Sequence, residues 1–455
     1  MKKVHFVGIG GIGMSGLAAM MLARGARVSG SDLHENLETL RLRGAGAAVH
    51  IGHDARQVDG TVDEVVISSA IDEANVEVRS AREQRIPIVR RLHALAPLLE
   101  GHESVGVAGT HGKTTTTAMV ASILVAARKD PSFLIGGDCP ALGGNARLGR
   151  GVPFVTEVDE SDGLFLDLSF SIAVLTNIGR DHLNTYGDLD AIVGSFRRYL
   201  KQSERAVLCI DDPHVRELAA SAHGALTVGI SQDADLTAVG IEHHRLRTRF
   251  DLLHRGRRVA PIVLPTPGDH NVRNALCAIG ASFLSGVDLE EAAGCLAEFQ
   301  LPHRRFELLE ENGVTVVDDY AHLPEQIEVT LKAIRDGWED RRIVAIFQPH
   351  RYTRTQAIGA EFGSAFREAD TVLVTSIYPA CERPIPGVSA QEIVDSISAS
   401  TGVRTHFIQE KEDVISFLKD HILPGDFIIS FGAGDICTVT EELSCFLREG
   451  RFCLA

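Results

Sequence analysis

The nine residues GTHGKTTTT at 109–117 carry the strongest chemical signal in the chain. They follow an apolar run and open an alanine-containing helical pattern. Backbone N–H groups from Gly109 to Thr114 can cradle an anion at the start of a helix. Lys113 can reach the β- and γ-phosphates of a nucleotide, and the hydroxyl of Thr114 can bind Mg²⁺. Val107 breaks the strict P-loop spacing, but the segment still predicts a nucleoside triphosphate site.

Acidic side chains follow the next buried run, in TEVDESD at 156–162. Hard cations such as Mg²⁺ prefer oxygen ligands, so this cluster is a candidate metal site. The alternatives are a solvated loop, or acids that orient a substrate or cap a helix. The four acids are Glu157, Asp159, Glu160 and Asp162.

Two arginines stand three residues apart in HRYTR at 350–354. A guanidinium group binds a carboxylate through two parallel hydrogen bonds. Arg351 and Arg354 converge if this segment is helical, and would then hold a small carboxylate. The alternative is a pair of surface arginines, with His350 as a structural residue.

The chain opens with HFVGIGGIGMSG at 5–16, in which Gly8, Gly10 and Gly13 form G-x-G-x-x-G. Asp32 ends the next strand pattern, as in an NAD(P)-dependent oxidoreductase. A chain that binds a nucleoside triphosphate in its central block seldom needs NAD as well. The loop is therefore interpreted as holding the diphosphate of a nucleotide sugar. The remaining alternative is a tight turn with no ligand.

Three blocks of alternating strands and helices must position these residues, which predicts an α/β fold with parallel sheets. In each block, polar residues follow apolar strands, and ligands of open α/β sheets bind at that edge. The predicted domains are 1–100, 101–300 and 301–455.

Composition excludes several classes of protein. The net charge is −16, from 45 basic and 61 acidic residues, which argues against nucleic-acid binding. The sequence contains no uninterrupted apolar run of about 18 residues, so no membrane-spanning helix is expected. The eight cysteines form no C-x-x-C pair, which favours reduced thiols in a cytoplasmic protein.

Eight segments, in this order, resemble the Mur ligase family: HFVGIGGIGMSGLA, VAGTHGKTTTT, EVDESD, TNIGRDHLNTYG, GDHNVRNALCA, RRFE, VDDYAH and FQPHRYTRT. The resemblance covers essentially the whole chain. It implies a Rossmann-like UDP-binding domain, a P-loop-type central ATPase domain and a Rossmann-like C-terminal domain.

The implied reaction joins L-alanine to the lactyl carboxylate of UDP-N-acetylmuramate, in peptidoglycan precursor synthesis. It uses ATP and Mg²⁺, passes through an acyl phosphate, and gives ADP and phosphate. FQPHRYTRT favours this branch over the murein-recycling relative that adds a tripeptide. A nucleotide-binding regulatory protein without turnover is a further alternative.

The resemblance also assigns residues to roles. The catalytic residues are Lys113, Glu157 and His182, and the metal ligands are Thr114, Glu157 and His182. ATP is bound by Gly109, Thr110, His111, Gly112, Lys113, Thr114, Thr115, His270, Asn271, Asn274, Arg305, Asp318 and Asp319. The UDP-sugar is bound by Gly8, Gly10, Gly11, Ile12, Gly13, Asp32 and Ser69, and the amino acid by Tyr320, His322, Arg351 and Arg354.

Some roles keep a structural alternative: His182 could be a structural histidine, Asp269 or Asn271 a helix cap, and Arg304 a surface charge. Arg197 stands where several relatives carry a carbamylated lysine, so no carbamate is expected.

Two stretches depart from the family pattern. YAHLPEQI has Leu323 in place of a second histidine and Glu325 in place of a threonine, which opens the question of glycine or L-serine as substrate. RRLHALAPLL at 90–99 also differs. The expected assembly is a monomer or weak homodimer.

Overall fold

The computed structural model describes residues 2–449 except 69, 162, 223, 232, 311, 312 and 381, and only the backbone of 183 and 184. Ser69 and Asp162 therefore lie outside the described residues. Three sheets flanked by helices confirm the α/β fold class. The chain forms two compact units, Met1–Ile241 with Phe250–Leu264 and Asn271–Gln300, and Glu242–Arg249 with Pro265–His270 and Leu301–Ala455.

The first sheet has five parallel strands in the order β3-β2-β1-β4-β5. Its strands are β1 (Lys3–Val7), β2 (Arg27–Asp32), β3 (Ala48–Ile51), β4 (Glu64–Ile67) and β5 (Ile88–Arg90). Its helices are α1 (Ile12–Ala23), α2 (Leu37–Gly44), α3 (Val76–Glu83) and α4 (Arg91–Leu99). The loop after β1 carries the glycines predicted to bind the UDP-sugar.

The second sheet has the order β15-β14-β13-β12-β11-β10-β6-β9-β7-β8. Its strands are β6 (Glu103–Ala108), β7 (Ser132–Leu134), β8 (Ala146–Arg147), β9 (Pro153–Glu157), β10 (Ile172–Leu175), β11 (Arg205–Cys209), β12 (Leu226–Gly229), β13 (Leu236–His244), β14 (Arg247–His254) and β15 (Arg257–Leu264). The associated helices are α5 (Lys113–Ala126), α6 (Leu183–Tyr186), α7 (Leu189–Lys201), α8 (Pro213–Ala219), α9 (Asp269–Leu284) and α10 (Leu289–Cys295). Strand β6 lies between β9 and β10, and all three are parallel. Their carboxyl ends therefore bring the phosphate loop, the acidic cluster and the segment before His182 to one edge.

The third sheet has the order β16-β17-β21-β18-β19-β20, in which only β16 is antiparallel to its neighbour. Its strands are β16 (Glu307–Glu310), β17 (Thr315–Asp319), β18 (Ile343–Phe347), β19 (Thr371–Val374), β20 (Arg404–Phe407) and β21 (Phe427–Phe431). Its helices are α11 (Pro324–Gly337), α12 (Tyr352–Ile358), α13 (Phe362–Ala365), α14 (Gln391–Thr401), α15 (Lys411–His421) and α16 (Cys437–Arg448). Strands β17, β18 and β21 are buried along their whole length, as expected for a parallel sheet covered on both faces.

Helix α7 shows how the sequence positions the strand that leads into the phosphate loop. Asp188 accepts a hydrogen bond from Ala191 N and caps the helix. Tyr199 is fully buried on the apolar face of the helix and donates from its hydroxyl to Gly106 O at 2.7 Å. A Cβ at Gly106 would lie 2.6 Å from that hydroxyl, so glycine is required for the close contact between α7 and β6.

The described ranges contain no helix with both the length and the apolar character that a membrane crossing requires.

Candidate active site

The loop between β6 and α5 has a shape that only glycine allows at two positions. Gly109 has a φ of +129°, and a Cβ there would lie 2.2 Å from Thr176 Oγ1. Gly112 has a φ of +80°, and its Cβ would lie 2.4 Å from Asn274 Oδ1. Both glycines thus combine a left-handed backbone with a close approach to neighbouring groups.

Two of the N–H groups predicted to cradle phosphate are bound within the protein. Thr110 N donates to Asn177 O at 3.0 Å, and His111 N donates to Asn177 Oδ1 at 2.8 Å. The predicted cradle of all the N–H groups from Gly109 to Thr114 is therefore wrong for these two. They fix the loop to the segment that follows β10.

Lys113, the first residue of α5, points its ammonium group back into the loop. Its Nζ donates to Gly109 O at 2.6 Å, to Thr110 O at 3.2 Å and to Glu160 Oε1 at 2.9 Å. An ammonium group has three donors, so these acceptors use all of them. Lys113 is thus positioned by the predicted phosphate loop and by one acid of the TEVDESD cluster.

The Lys113–Glu160 pair is buried, and each partner affects the charge of the other. Burial lowers the pKa of Lys113, but the nearby carboxylates of Glu160, Glu157 and Asp159 raise it above its ordinary value overall. Burial raises the pKa of Glu160 to about 7, against the opposing effect of Lys113. The lysine therefore remains a cation throughout the neutral pH range.

Thr114 and Glu157 meet at the end of β9. Thr114 Oγ1 donates to Glu157 Oε2 at 2.9 Å, and Gly136 N donates to the same oxygen at 3.1 Å. A Cβ at Gly136 would lie 2.2 Å from that oxygen. The structure thus brings two of the three predicted metal ligands into direct contact. Thr115, also predicted to contact ATP, is buried in the first turn of α5.

This donor set fits Mg²⁺. The ion prefers oxygen ligands and commonly takes one or two carboxylates, with substrate phosphates and water completing its coordination. A hydroxyl and a carboxylate at the mouth of a phosphate loop meet that description. No group of three or more His, Cys, Asp and Glu side chains suited to a metal occurs in the part of the chain that the structure describes.

His182 lies at the start of the short helix α6, with a φ of +55°. Its Nε2 lies 3.5 Å from Asp181 Oδ2, and its backbone N–H donates to Asp181 Oδ1 at 2.8 Å. Tyr186, at the end of α6, donates from its hydroxyl to Glu160 O at 2.5 Å. Helix α6 is therefore bound to the acidic segment, while the role of His182 as a metal ligand stays a prediction.

The glycine loop after β1 is held by Asp32 and Asn36. Gly10 N donates to Asp32 Oδ2 at 2.8 Å, and Asn36 Nδ2 donates to Gly10 O at 3.0 Å. Gly8 has a φ of +81°. Gly11 precedes α1, and Ile12 begins it. Asp32, predicted to contact the UDP-sugar, thus fixes the conformation of the loop through Gly10.

Arg91 connects the glycine loop to the acidic cluster. Its Nη2 lies 3.1 Å from Asp159 Oδ2 in an ion pair. A Cβ at Gly13 would lie 2.3 Å from Arg91 Nη1, so the guanidinium packs directly on α1. Arg91 belongs to RRLHALAPLL, the stretch that departs from the family pattern.

One amide of helix α9, that of Asn274, packs against Gly112 of the predicted phosphate loop. Asn274 Nδ2 donates to Asn271 Oδ1 at 3.2 Å, and Thr116 Oγ1 donates to Asn274 Oδ1 at 3.3 Å. Asn271 lies inside α9, so the helix-cap alternative does not describe it. His270 also lies in the first turn of this helix.

Arg304 and Arg305 are adjacent, and both guanidinium groups lie over the ring of Tyr320. Arg304 forms an ion pair with Asp318, Nε to Oδ2 at 3.0 Å, and donates to Gly432 O and Gly434 O. The surface-charge alternative for Arg304 is therefore wrong. Arg305 lies over the ring of Tyr320, at 4.9 Å from its centroid, as in a cation–π contact.

Asp318 and Asp319, which are predicted to bind ATP, are both buried at the end of β17. Asp318 accepts hydrogen bonds from Arg304 and from Ser430 Oγ. Asp319 accepts from Phe306 N at 2.9 Å and from Ala321 N at 2.7 Å, and burial raises its pKa to about 6. ATP binding by either acid stays a prediction.

Basic and aromatic side chains of the predicted amino-acid site cluster at the carboxyl edge of the third sheet. The rings of His322 and His350 lie 5.7 Å apart, and Tyr320 lies 5.4 Å from His322. Arg354 Nη1 lies 3.1 Å from His350 Nδ1. Burial, then Arg354, lowers the pKa of His322 well below its ordinary value and that of His350 to about 4. Both histidines are therefore neutral at pH 7.

Arg351 has a strained backbone, with a φ of +73° and a ψ of 138° just before α12. Non-glycine residues rarely adopt this conformation, and such strain clusters at functional sites. The conformation is held by a hydrogen bond from Arg351 N to Tyr378 O at 2.8 Å. Arg351 is exposed and Arg354 is partly buried, so binding of a carboxylate by the two arginines stays a prediction.

Leu323 is buried, with 4% of its surface exposed, and directly precedes α11. Its backbone N–H donates to Gln326 Oε1 at 3.2 Å, which satisfies a group at the helix start. An apolar side chain thus fills the position where the family pattern has a second histidine.

Four positioning residues carried no specific role in the sequence: Arg91, Asn177, Glu160 and Arg304. Asn177 stood in the quoted motif TNIGRDH, and the other three are charged residues inside or beside motifs. Only the three-dimensional structure distinguishes them from their neighbours.

Three family models match consecutive parts of the chain: the Mur ligase family catalytic domain at 3–103, the Mur ligase middle domain at 107–282, and the Mur ligase glutamate ligase domain at 304–434. The chain belongs to the Mur ligase family.

Two curated relatives of this Mur ligase are named UDP-N-acetylmuramate–L-alanine ligase. The one from Pelotomaculum thermopropionicum is 42% identical over 459 residues, covering 99% of this chain and 98% of its own. The one from Methylococcus capsulatus is 42% identical over 452 residues, covering 97% and 96%.

Solved structures agree. The UDP-N-acetylmuramate–alanine ligase MurC from Thermotoga maritima has a TM-score of 0.86 and 32% identity, with 99% of this chain and 100% of that chain covered. A murein peptide ligase from Psychrobacter arcticus has a TM-score of 0.71 and 25% identity, with 97% and 99% covered. These matches confirm the predicted three-domain Mur ligase architecture.

Proposed function

We propose that this Mur ligase joins L-alanine to the lactyl carboxylate of UDP-N-acetylmuramate in peptidoglycan precursor synthesis, using ATP and giving ADP and phosphate. The observation that carries the proposal is 42% identity over 99% of the chain to a ligase of that name. The Lys113 loop and the HRYTR site supply the groups that such a reaction requires.

At the ATP end, the loop before α5 holds the phosphates. Lys113 neutralises charge on the transferred phosphoryl group, and the N–H groups at the start of α5 support the neighbouring oxygens. Asn274 lies against this loop, and Asn271, Asn274 and His270 contact the nucleotide. Arg305 and one acid of the Asp318–Asp319 pair serve the phosphates and the ribose.

Thr114 and Glu157 would hold Mg²⁺, with His182 as a ligand of a second ion. When bound, Mg²⁺ neutralises charge on the phosphates and keeps them in one orientation. The contact between Thr114 Oγ1 and Glu157 Oε2 at 2.9 Å supports this assignment.

At the amino-acid end, Arg351 and Arg354 bind the carboxylate of L-alanine, with Tyr320 and His322 beside them. The lactyl carboxylate attacks the γ-phosphorus, ADP leaves, and an acyl phosphate forms. The amine of alanine then attacks the acyl carbon and displaces phosphate. Positioning and charge neutralisation do most of the work in such transfers.

The glycine loop after β1, with Gly8, Gly10 and Gly13, binds the diphosphate of the UDP-sugar, and Asp32 keeps the loop in shape. Gly11, Ile12 and Ser69 belong to the same proposed site. We further propose that the domains are 1–100, 101–300 and 301–455, and that the protein is a cytoplasmic monomer or weak homodimer. Light scattering during gel filtration tests the oligomeric state.

Phosphate release tests the reaction. ATP, Mg²⁺ and UDP-N-acetylmuramate are supplied, and L-alanine, glycine, L-serine or the tripeptide is added singly. We expect release only with L-alanine, together with a product of the matching mass. Lys113→Met should abolish release, whereas the control Lys332→Met, at an exposed position on α11, should retain it.

The other outcomes are equally informative. Release with the tripeptide alone would assign the chain to the recycling reaction. Release with glycine or L-serine as well would show that Leu323 relaxes the choice of amino acid. No release with any acceptor would refute the proposed ligase activity.

A further inference from the structure

Glu160 contacts the predicted phosphate-binding lysine but has no place in the reaction described above. It lies three residues after Glu157 and is 3% exposed. Its Oε1 accepts a hydrogen bond from Lys113 Nζ at 2.9 Å. Since the side chains of Lys113 and Glu160 are 13% and 4% exposed, the charges attract each other with little screening by water.

The second oxygen of the same carboxylate is poorly satisfied. Glu160 Oε2 is buried and finds no hydrogen-bond partner among the residues that the structure describes. A buried oxygen in this state costs folding free energy, which suggests that its position serves a purpose other than stability.

Lys113 has no donor left for a phosphate in this arrangement. Its three protons go to Gly109 O, Thr110 O and Glu160 Oε1. A nucleotide phosphate must therefore displace at least one of these acceptors. Glu160 is the only charged acceptor of the three, so breaking its bond to Lys113 takes the largest share of the free energy of this exchange. The displaced carboxylate also remains near the incoming phosphates and repels them.

We propose that Glu160 is an internal counter-ion that holds Lys113 in the nucleotide-free protein and competes with the nucleotide phosphates for it. The inference rests on the proposed function, because it assumes that the loop binds ATP. Glu160 is a positioning residue in this account: it presents the ammonium group at the loop mouth and weakens nucleotide binding in exchange for that orientation.

The binding test uses ADP and full-length protein in isothermal titration calorimetry, first with EDTA and then with Mg²⁺. Glu160→Gln keeps the shape of the side chain but removes its charge. We expect ADP without metal to bind the variant about tenfold more tightly than wild type. Asp159→Asn is the matched control, because it removes a charge from the same loop without a bond to Lys113. Its effect should be smaller.

A kinetic test separates positioning from a general loss of structure. In Glu160→Gln, the KM for ATP should fall, and kcat should fall as well, because Lys113 is no longer oriented. A purely structural role would lower the active fraction and leave the KM for ATP unchanged. Glu160→Asp retains the charge but moves it away from Lys113, so ADP should bind this variant about threefold more tightly than wild type. If Glu160→Gln does not fold, Glu160→Asp tests the proposed competition in its place.

Each result has one meaning. Equal ADP affinity of wild type and Glu160→Gln without metal would overturn the inference and leave the ligase proposal intact. If Glu160→Gln bound ADP more weakly than wild type, and only in the presence of Mg²⁺, Glu160 would be a metal ligand. That result would also overturn the inference. Absence of ADP binding to wild type would refute the proposed ATP site itself.

Discussion

Lys113 and Arg354 are both proposed to bind anionic groups, ATP phosphate and the carboxylate of alanine, yet their surroundings differ. Lys113 is paired with the buried carboxylate of Glu160 and uses its three donors within the protein. Arg354 lies beside His322 and His350, and its charge helps to keep both rings neutral. Lys113 is thus paired with an internal acid, whereas Arg354 acts on two neighbouring rings whose pKa it lowers.

The difference has a consequence for binding. A phosphate must exchange partners with Glu160 before it reaches Lys113, so part of its binding free energy is spent on that exchange. A carboxylate that approaches Arg354 meets two neutral histidine rings beside it and displaces neither of them. A highly charged nucleotide can tolerate the first arrangement, whereas alanine, with one carboxylate, benefits from the second.

The largest effect is expected from Lys113→Met. Phosphate release should fall by about 10³-fold or more, because the charge on the transferred phosphoryl group is no longer neutralised. The free energy of unfolding at pH 8 should fall by about 3 kcal/mol, since Glu160 is left as a buried, unpaired carboxylate. Denaturant titration and the release assay measure the two effects separately.

The double variant Lys113→Met with Glu160→Gln sharpens this test. It should recover most of the lost stability and none of the activity. If the double variant were as unstable as the single one, the charge of Glu160 would not be balanced by Lys113, and the contrast with Arg354 would disappear.

A smaller effect is expected from Arg354→Ala. The KM for L-alanine should rise about thirtyfold, because a charge-assisted hydrogen bond to its carboxylate is lost. The KM for ATP should change little. Arg354→Lys keeps the charge but not the planar fork, so its effect should be intermediate. The exposed Arg367→Ala serves as the control.

Nuclear magnetic resonance of the histidine rings adds a second readout for Arg354→Ala. The pKa of His350 should rise, because a neighbouring cation that lowers it has been removed. If Arg354→Ala raised the pKa of His350 but left the KM for alanine unchanged, Arg354 would act on His350 as expected but would not bind alanine.

The sequence was sufficient to predict the strand–loop–helix unit around Lys113. An apolar strand, a loop with glycines and a helix start are local features, and each is visible in ESVGVAGTHGKTTTT at 103–117. The edge of the sheet where Glu157 lies was also predictable, because parallel strands end together. Three α/β blocks follow from the same alternation of strands and helices.

The partners of the individual charges were not predictable. Asp159 and Glu160 are adjacent acids, yet one pairs with Arg91 and the other with Lys113. Arg304 and Arg305 both lie over the ring of Tyr320, and Arg304 also forms an ion pair with Asp318. Backbone direction in short loops decides such choices, and local sequence does not specify it.

The smallest effect concerns the dependence of stability on pH. Burial first, then Arg354 and Arg351, lowers the pKa of His350 to about 4, against the weaker opposing effect of Glu382. In the unfolded chain the ring has a pKa of about 6.5, so the unfolded state binds the extra proton between these values. The free energy of unfolding should therefore decline as pH falls from about 6.5 towards 4.

His350→Gln isolates this contribution. Denaturant titrations at pH 7.5 and pH 5 should show that wild type loses about 1 kcal/mol more than the variant does, after allowance for solvent screening. His34→Gln, at an exposed position after β2, should behave like wild type. Parallel losses in wild type and His350→Gln would mean that a nearby carboxylate compensates the field of Arg354. Arg354 would then have an acidic partner, as Lys113 has in Glu160, and the contrast between the two sites would be lost.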